Sequence, residues 1–345
     1  MKIGIAGFSG SGKSTVFEWL TGEKPDPSRL QQGQVGNPAV PDPRLNFLAS
    51  LFNPKKTTFT RMELLDTHGL HPTERRDNPR RLAILRDAGG LMVVLNGFSG
   101  ENLADALRRF REELLFADLE VITNRIDKVK DQLKKSKPAK LKELDELEHA
   151  LLTRIAGVLE GGQGAAAANL KVDEEKMIRS FQLLTLKPEL VFVNIGDDAI
   201  GKPLPEALLK LAPAAFYAPV KLELELAELG EEDRKAFMAD LNMTDLSRDD
   251  NIHKIFAGMN QIVFFTVGED ECRSWAIPKG STGPQGAGQI HSDLERGFVR
   301  AEVVGYTDFQ KHRSMKEAKT HGVYRLEGKT YIVQDGDIMH ILAST

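Results

Sequence analysis

At 345 residues the chain has room for two or more domains, and 41% hydrophobic with 28% charged residues is the composition of an ordinary globular protein. A formal net charge of −4 excludes a uniformly basic nucleic-acid coat but leaves room for a local basic patch, and no apolar run approaches the roughly 18 residues that span a bilayer. The single cysteine, Cys272, excludes an intramolecular disulfide and fits a reducing cytoplasm, and because the opening Met-Lys-Ile-Gly-Ile-Ala-Gly reads as entering a strand at once, no cleavable signal is expected.

The first hundred residues alternate strand and helix. Residues 3–6 are a short apolar strand with a helix behind it at 13–20, and 62–65 and 91–95 are further apolar runs of strand length. Residues 23–43, rich in Pro, Gly and Gln, read as loop. Strands separated by helical stretches predict an α/β fold, a parallel sheet with helices on both faces. From Asn102 the pattern changes. Leu115, Leu119, Ile122, Ile126, Val129 and Leu133 recur at spacings of four and three, the seam of a coiled coil. Lys137-Pro138 breaks that helix, and Leu141, Leu144, Leu151, Ile155 and Val158 predict a returning seam, hence an antiparallel hairpin that residues 161–168 end as a flexible link. A strand at 190–193 puts the hairpin inside the preceding domain. Strand-like runs at 261–267, 272–277, 299–303 and 331–333, with little helix outside 285–296, predict a β-rich domain of about 85 residues. The expected division is 1–101 with 186–260, a helical insert at 102–160, and a C-terminal domain at 261–345.

Gly7-Phe-Ser-Gly-Ser-Gly-Lys-Ser14 fits G-x-x-x-x-G-K-S between a strand and a helix, the context in which that pattern forms a phosphate loop. Glycines at 7, 10 and 12 let backbone N–H groups turn inward around a β-phosphate, aided by the helix N-terminus. The candidate nucleotide-binding residues here are Ser9, Gly10, Ser11, Gly12, Lys13, Ser14 and Thr15. Lys13 would bridge β- and γ-phosphate oxygens, and the Ser14 hydroxyl would hold Mg²⁺. A glycine-rich turn that merely starts a helix is the plain alternative. A dinucleotide fingerprint fits worse, because Ser14 and Thr15 stand where G-x-G-x-x-G needs its last glycine.

Leu64-Leu65-Asp66-Thr67-His68-Gly69 supplies a second element: Asp66 at a strand end can orient a Mg²⁺-bound water, and the Gly69 N–H can sense a γ-phosphate. Position 70 is Leu where Ras-like enzymes carry a water-positioning Gln, so hydrolysis uses another group or is slow until a partner helps. His68 and His71 flank Leu70, and either can hydrogen-bond an attacking water or simply sit in a mobile loop. His71 joins Lys13 and Gly69 as the candidate catalytic set. The third element is Val191-Phe-Val-Asn194-Ile-Gly-Asp197, a strand ending in N-x-x-D, whose Asn194 and Asp197 match a base-reading loop with Ile195 in place of the usual lysine. A plain strand-end turn is the alternative.

With these elements assembled, the chain resembles the YchF / Obg-like ATPase family nearly end to end. The resemblance is carried by Val40-Pro-Asp-Pro-Arg-Leu45, Pro219-Val-Lys-Leu-Glu223 with Ala227-Glu-Leu229, Phe264-Phe265-Thr266, Arg273-Ser-Trp-Ala-Ile-Pro278, Gly286-Ala-Gly-Gln-Ile-His-Ser-Asp293, Gly297-Phe298 and Tyr331-Ile-Val-Gln-Asp-Gly-Asp337. It implies a Ras-like P-loop domain with an inserted coiled-coil hairpin and a C-terminal ubiquitin-like TGS domain. It also implies ATP hydrolysis with Mg²⁺, and association with the ribosome or its RNA in the cytoplasm. The chain departs from the family pattern in four places. Ser9-Gly10 replaces Pro-Asn, which puts potassium stimulation in doubt, and the switch threonine's position falls near Leu30. Pro72-Thr-Glu-Arg-Arg-Asp-Asn-Pro79 replaces a glycine-rich switch, and N-x-x-D replaces N-x-x-E. Leu70 agrees with the family's apolar residue. ATP, with GTP accepted, is the expected substrate.

Between positions 125 and 142 the hairpin tip carries Arg125, Lys128, Lys130, Lys134, Lys135, Lys137, Lys140 and Lys142 beside Asp127 and Asp131, which reads as an RNA-phosphate patch or a solvated helix face. His291 near Asp293 lacks a third metal ligand, Trp275 and Phe298 read as core, and Cys272 beside Glu271 and Arg273 is a weak candidate for a reactive thiolate. Three functions compete: a nucleotide-gated ribosome-binding ATPase, a non-hydrolysing nucleotide sensor, and a small-molecule P-loop kinase. The last lacks a lid signature and leaves the C-terminal third unexplained. No membrane partner is expected, and the sequence is silent on oligomeric state.

Overall fold

The computed structural model describes residues 1–29, 31–73, 75–241 and 243–344. Its strands are β1 (Lys2–Ala6), β2 (Gln34–Gly36), β3 (Lys56–Thr58), β4 (Glu63–Asp66), β5 (Gly90–Gly97), β6 (Glu189–Ile195), β7 (Phe216–Ala218), β8 (Gln261–Thr266), β9 (Glu271–Pro278), β10 (Phe298–Gly305), β11 (Arg325–Glu327) and β12 (Asp337–Ala343). The helices used below are α1 (Lys13–Thr21), α2 (Pro43–Phe52), α3 (Asn78–Leu85), α4 (Leu103–Leu133) and α5 (Ala139–Glu160). The chain divides into two units, Met1–Gly36 with Glu63–Leu246, and Asn37–Met62 with Ser247–Thr345.

The first unit is an α/β layer structure. Its sheet runs β2-β4-β1-β5-β6-β7, parallel throughout except for β2 against β4. Ile3, Ile5, Leu64, Met92, Val93, Phe192 and Val193 are buried on both sheet faces, which is why these strands read as continuous apolar runs instead of alternating ones. Behind the first loop, α1 packs on the helix Val220–Glu228, where Trp19 Nε1 donates to the buried Glu223 carboxylate at 2.9 Å. On the other face α3 and α4 cover the sheet. Phe110 of α4 is fully buried there among Leu82, Leu85 and Val93, and its truncation would cost about 3–5 kcal/mol.

Beyond the sheet, α4 and α5 form a helical hairpin. Ile122, Ile126 and Val129 meet Leu151, Leu152, Ile155, Ala156 and Leu159, and Ala165, Ala168, Ile178 and Leu183 close the base of that cluster. The returning seam differs from the sequence expectation: Leu141 and Leu144 are 51% and 48% exposed. The α4-facing positions are Asp145, Glu148, Leu152, Ile155 and Leu159, at spacings of three and four. The first two are well covered because Lys137 and Arg125 pair with them, at 2.5 and 2.7 Å. Residues 161–168, expected as a flexible link, end in a short 3₁₀ helix, Ala165–Ala168, and the helix Val172–Ile178 follows.

The second unit holds a mixed sheet in the order β11-β10-β12-β8-β9-β3. Its last antiparallel pair is β10 with β12, so the terminal strand lies at 337–343 and not at the expected 331–333. Residues 331–333 contribute one isolated bridge, Thr282 to Ile332, because Tyr331 and Gln334 bond to the Asp337 carboxylate in a turn. Two helices absent from the sequence reading, Tyr306–His312 and Met315–Thr320, follow β10. The segments Val40-Pro-Asp-Pro-Arg-Leu45 and Tyr331 to Asp337 meet here. Asp42 caps α2, and Arg44 bonds both Asp42 and, at 2.7 Å, Asp335. Phe298 is core, while Trp275 is half-buried, stacked between Phe264 and the Arg273 guanidinium. Burial raises the Cys272 thiol pKa, which disfavours the thiolate. His291 Nδ1 accepts from the Asp293 N–H as a helix cap.

Candidate active site

The carboxyl ends of β1, β4, β5 and β6 open on one edge of the first sheet, the place where open α/β sheets bind ligands. From Ala6 the chain turns through residues 7–12 into α1. Gly12 caps that helix in the left-handed conformation, φ 83° and ψ 23°. A Cβ there would also lie 2.2 Å from Asn194 Nδ2, so conformation and space both require glycine. The close approach laces three strand ends together. Asn194 Nδ2 at the end of β6 reaches the Ser11 carbonyl at 3.5 Å, and Asn96 Nδ2 near the end of β5 donates to the Gly10 carbonyl at 3.2 Å. Ser9 and Gly10 are exposed, Ser11 is buried, and Ser14 and Thr15 are half-buried in the first turn of α1.

Lys13 is 6% exposed, and its ammonium donates to the Phe8 carbonyl at 2.9 Å. Burial pushes its pKa down to about 8, against the pull of Asp66 and with a further push from Arg81. Asp66 is wholly buried, and neither carboxylate oxygen has a hydrogen-bond partner among the described residues. Burial raises its pKa; the Ser14 hydroxyl is near enough to draw it partly back, short of a well-formed hydrogen bond, and Lys13 adds to that pull. A buried carboxylate without donors is costly unless a cation compensates it. The hard oxygens of Ser14 and Asp66 therefore suit Mg²⁺.

The second loop is stitched onto the first. Ser9 N–H donates to the Leu70 carbonyl at 2.8 Å, and Leu70 N–H donates to the Gly7 carbonyl at 3.0 Å. The Leu70 side chain packs into the core with Leu82, Leu85 and Phe110. Gly69 lies so tightly that a Cβ would stand 2.4 Å from Lys13 Nζ and 2.6 Å from Ser9 N. Both backbone groups of His71 bond to the Asn78 side chain at 3.0 Å, while its imidazole, half-exposed, makes no hydrogen bond among the described residues. Asn78 also donates to Glu113 on α4 at 3.0 Å, tying this loop to the hairpin. The switch position near Leu30 lies outside the described residues.

At the third loop Asn194 is buried, whereas Asp197 is exposed and opens a single 3₁₀ turn, Asp197–Ala199. Between this loop and the phosphate loop stands Phe98, 50% exposed. Its ring lies 3.8 Å from where a Gly12 Cβ would be, and its own Cβ 3.4 Å from a Gly196 Cβ. Asn96 Oδ1 fixes it by accepting from the Phe98 and Ser99 N–H groups. An exposed ring at this place can stack on a base. Sequence reasoning missed Asn96 and Phe98; the clue was Asn96-Gly-Phe-Ser-Gly100 directly after an apolar strand. It also missed Arg81 and Asn78, which carry no motif.

The hairpin tip is less basic than its own run of lysines suggests. Lys134 pairs with Asp131 at 2.8 Å, Lys130 with Asp127 and Lys142 with Glu146 at 3.9 Å, besides the two pairs already described. Among the described residues Lys128, Lys135 and Lys140 form no ion pair. The returning helix brings Glu143, Asp145, Glu146 and Glu148 to the tip.

The protein family YchF-GTPase_C, described as "Protein of unknown function (DUF933)", matches residues 261–344. The chain is 33% identical to the ribosome-binding ATPase YchF of Bacillus subtilis (strain 168), over 99% of its own length and 98% of that protein. It is 32% identical to the ribosome-binding ATPase YchF of Escherichia coli O157:H7, again over 99% and 98%. Its fold matches the solved Schizosaccharomyces pombe YchF GTPase with a TM-score of 0.83 at 26% identity, over 99% of this chain and 97% of that one. No helix among the described residues is long and apolar enough to cross a membrane. The end-to-end identity, joined to a phosphate loop laced to three strand ends, places the chain in the YchF family.

Proposed function

We propose that the chain is a slow, Mg²⁺-dependent nucleoside triphosphatase of the cytoplasm that takes ATP, accepts GTP, and acts as a nucleotide-gated factor on the ribosome. The observation that carries this is the pair of buried charges at the strand ends, Lys13 and Asp66, which attract each other without ion-pair contact, the carboxylate oxygens having no hydrogen-bond partner among the described residues. Such a pair is stable when a triphosphate meets the ammonium and a divalent cation meets the carboxylate. The names of the relatives, ribosome-binding ATPase in the bacteria and GTPase in the yeast, supply the substrate class and the partner. In this reading the Ras-like nucleotide domain, expected at 1–101 and 186–260, is carried by Met1–Gly36 with Glu63–Leu246, residues 102–160 are its coiled-coil insert, and 261–345 are a TGS-like domain in the second unit.

Backbone N–H groups of residues 9–15 hold the phosphates, and Lys13 bridges β- and γ-oxygens. Ser14 and Asp66 would hold Mg²⁺, which when bound neutralises charge on those oxygens. Gly69 N–H faces the γ-phosphate. Leu70, packed in the core, orients no water, so His71 is left as the candidate for that role and turnover is slow. Phe98 stacks on either purine, and Asn194 closes the pocket over Ser11. Asp197 accepts from guanine N1 and N2 but is open to water, so it discriminates weakly. The burial of Leu70 also favours a second reading, a sensor that binds triphosphate without turnover.

Two measurements test this together: calorimetric titration of ATP and GTP with and without Mg²⁺, and single-turnover hydrolysis with and without ribosomes. Mg²⁺-dependent binding of both nucleotides, with hydrolysis that ribosomes change, is the expected result. Binding without any hydrolysis in either condition would leave the sensor, and no triphosphate binding would end both readings.

A further inference from the structure

Gly69 lies between two cations. On the side where its Cβ would project, Lys13 Nζ is 2.4 Å from that point. At its carbonyl, Arg81 Nη1 donates a hydrogen bond of 2.5 Å. Arg81 extends from α3 and is half-buried; that bond is its one side-chain hydrogen bond among the described residues, and none of their carboxylates pairs with it. It stands close enough to Lys13 for the two charges to repel. A guanidinium cannot relieve that repulsion by losing a proton, because it stays charged at every working pH. Beside it opens a cavity of about 150 Å³ lined by Gln31, His68, Asp77, Arg80 and Arg81, two guanidiniums against one carboxylate.

We infer that Arg81 is an arginine that the chain itself supplies to the γ-phosphate. With triphosphate in the loop, the guanidinium shares or leaves the Gly69 carbonyl and hydrogen-bonds a γ-phosphate oxygen, opposite the ammonium of Lys13. An anion between the two cations turns their repulsion into attraction on both sides. A mere clamp on Gly69 would need only a neutral donor, and placing a fixed charge beside Lys13 would then be a net cost. Asn78 ties α3 to the His71 backbone, so the guanidinium is held to the same loop as the Gly69 N–H. In the step itself a water oxygen bonds to the γ-phosphorus while its bond to the β–γ bridging oxygen breaks. The diphosphate leaves with the electron pair, and the water's protons pass to phosphate and solvent. Arg81 keeps its protons and holds the charge that gathers on the γ-oxygens. This assignment rests on the reading of the site as a triphosphatase and names the group that holds the charge gathering on the γ-phosphate, while orienting the water is left to His71.

The test uses the full chain with Arg81→Ala and Arg81→Lys, with Mg²⁺ present. It compares single-turnover ATP hydrolysis, affinity for ADP, and affinity for ADP with aluminium fluoride, a mimic of the phosphoryl group in transfer. Arg81→Ala should hydrolyse about 10²–10³-fold more slowly while ADP affinity stays within about twofold. The tightening that aluminium fluoride gives the parent should vanish, added guanidinium should restore part of the rate, and Arg81→Lys should recover little because it lacks the planar fork. A parental rate in Arg81→Ala overturns the inference. So does a loss of ADP affinity in step with the rate, since Arg81 would then only brace Gly69. A parent that binds no triphosphate overturns the reading of the site, and this inference with it.

Discussion

At the phosphate loop one ammonium, Lys13, is 6% exposed with no carboxylate in ion-pair contact among the described residues. At the hairpin tip, in the same unit, five of the eight cations between positions 125 and 142 stand in ion pairs, most of them largely exposed. The tip has eight times the cations and the weaker case for an anion partner. Exposed pairs contribute about 0–1 kcal/mol and neutralise each other's field, whereas a buried, unpaired charge is costly until a ligand meets it. Partners and burial, not the count of charges, decide where an anion binds.

The largest effect should come from removing the buried cation. Truncating one member of a buried charge pair costs about 2–5 kcal/mol, so Lys13→Ala should weaken triphosphate binding by about 30-fold or more, with its circular dichroism unchanged. Equal affinities in calorimetry would place Lys13 outside the phosphate site. The lowered pKa adds a sign. Above pH 8 the free protein increasingly holds Lys13 neutral, and a bound triphosphate draws the proton back. Affinity should therefore fall as pH rises from about 8 toward 10, and binding heats should scale with the ionisation enthalpy of the buffer. Heats that ignore the buffer would contradict that proton uptake.

Asp66→Asn should come next. It removes the buried carboxylate charge, so the nucleotide-free protein should unfold at the same temperature or higher, while the gain in triphosphate affinity from Mg²⁺ should shrink. Thermal unfolding and calorimetry with and without Mg²⁺ check the two halves. A stability loss with Mg²⁺ dependence intact would make Asp66 a structural residue and break the contrast between cradle and tip.

Legibility follows the same division. The phosphate loop could be read because every constraint on it is local: glycines where the backbone turns, an apolar strand before it, and a lysine and a serine opening the helix after it. Arg81 could not, because its meaning depends on α3 bringing residue 81 against residue 69, and nothing in the intervening Pro72 to Pro79 stretch forecasts that contact. Phe98 is intermediate: its Asn96 turn is local, but its neighbours at Gly12 and Gly196 come from other strands. The hairpin was legible as two helices and misread in register. Asp145 and Glu148 occupy seam positions where periodicity looks for leucine, and only Lys137 and Arg125 across the way make that tolerable. In the second unit β3 pairs with β9 more than 200 residues later (Lys56 with Glu271), beyond the reach of any window.

A smaller effect is expected at the base. Asp197→Asn should move the ATP-to-GTP affinity ratio toward ATP by less than about tenfold, since an exposed carboxylate competes with water for guanine and its hydrogen bonds are worth about 0.5–1.5 kcal/mol each. A change in both affinities together would mean that the loop shapes the phosphate site instead of reading the base. A shift of several hundredfold would mean that nucleotide binding buries Asp197, and the pocket would then close far more than its present exposure suggests.

The smallest effect should come from the tip. Replacing Lys134, Lys135, Lys137 and Lys140 with Glu reverses four cations, but Lys134 and Lys137 already spend their charge on Asp131 and Asp145. Only Lys128, Lys135 and Lys140 have no carboxylate partner among the described residues. Three phosphate contacts would give a log–log salt slope of about −2 to −3, against about −3 to −4 if all four replaced lysines reached phosphate. Lys135→Ala with Lys140→Ala should then flatten most of the slope that the fourfold change removes, and Lys134→Ala should change little. Ribosome co-sedimentation across a salt series distinguishes these cases. If Lys134→Ala weakens binding as much as Lys135→Ala does, the ion pairs open on contact and the run of lysines was a better guide than the pairing. If none of the variants moves the profile, the tip is a solvated face, and the contact belongs elsewhere on the chain.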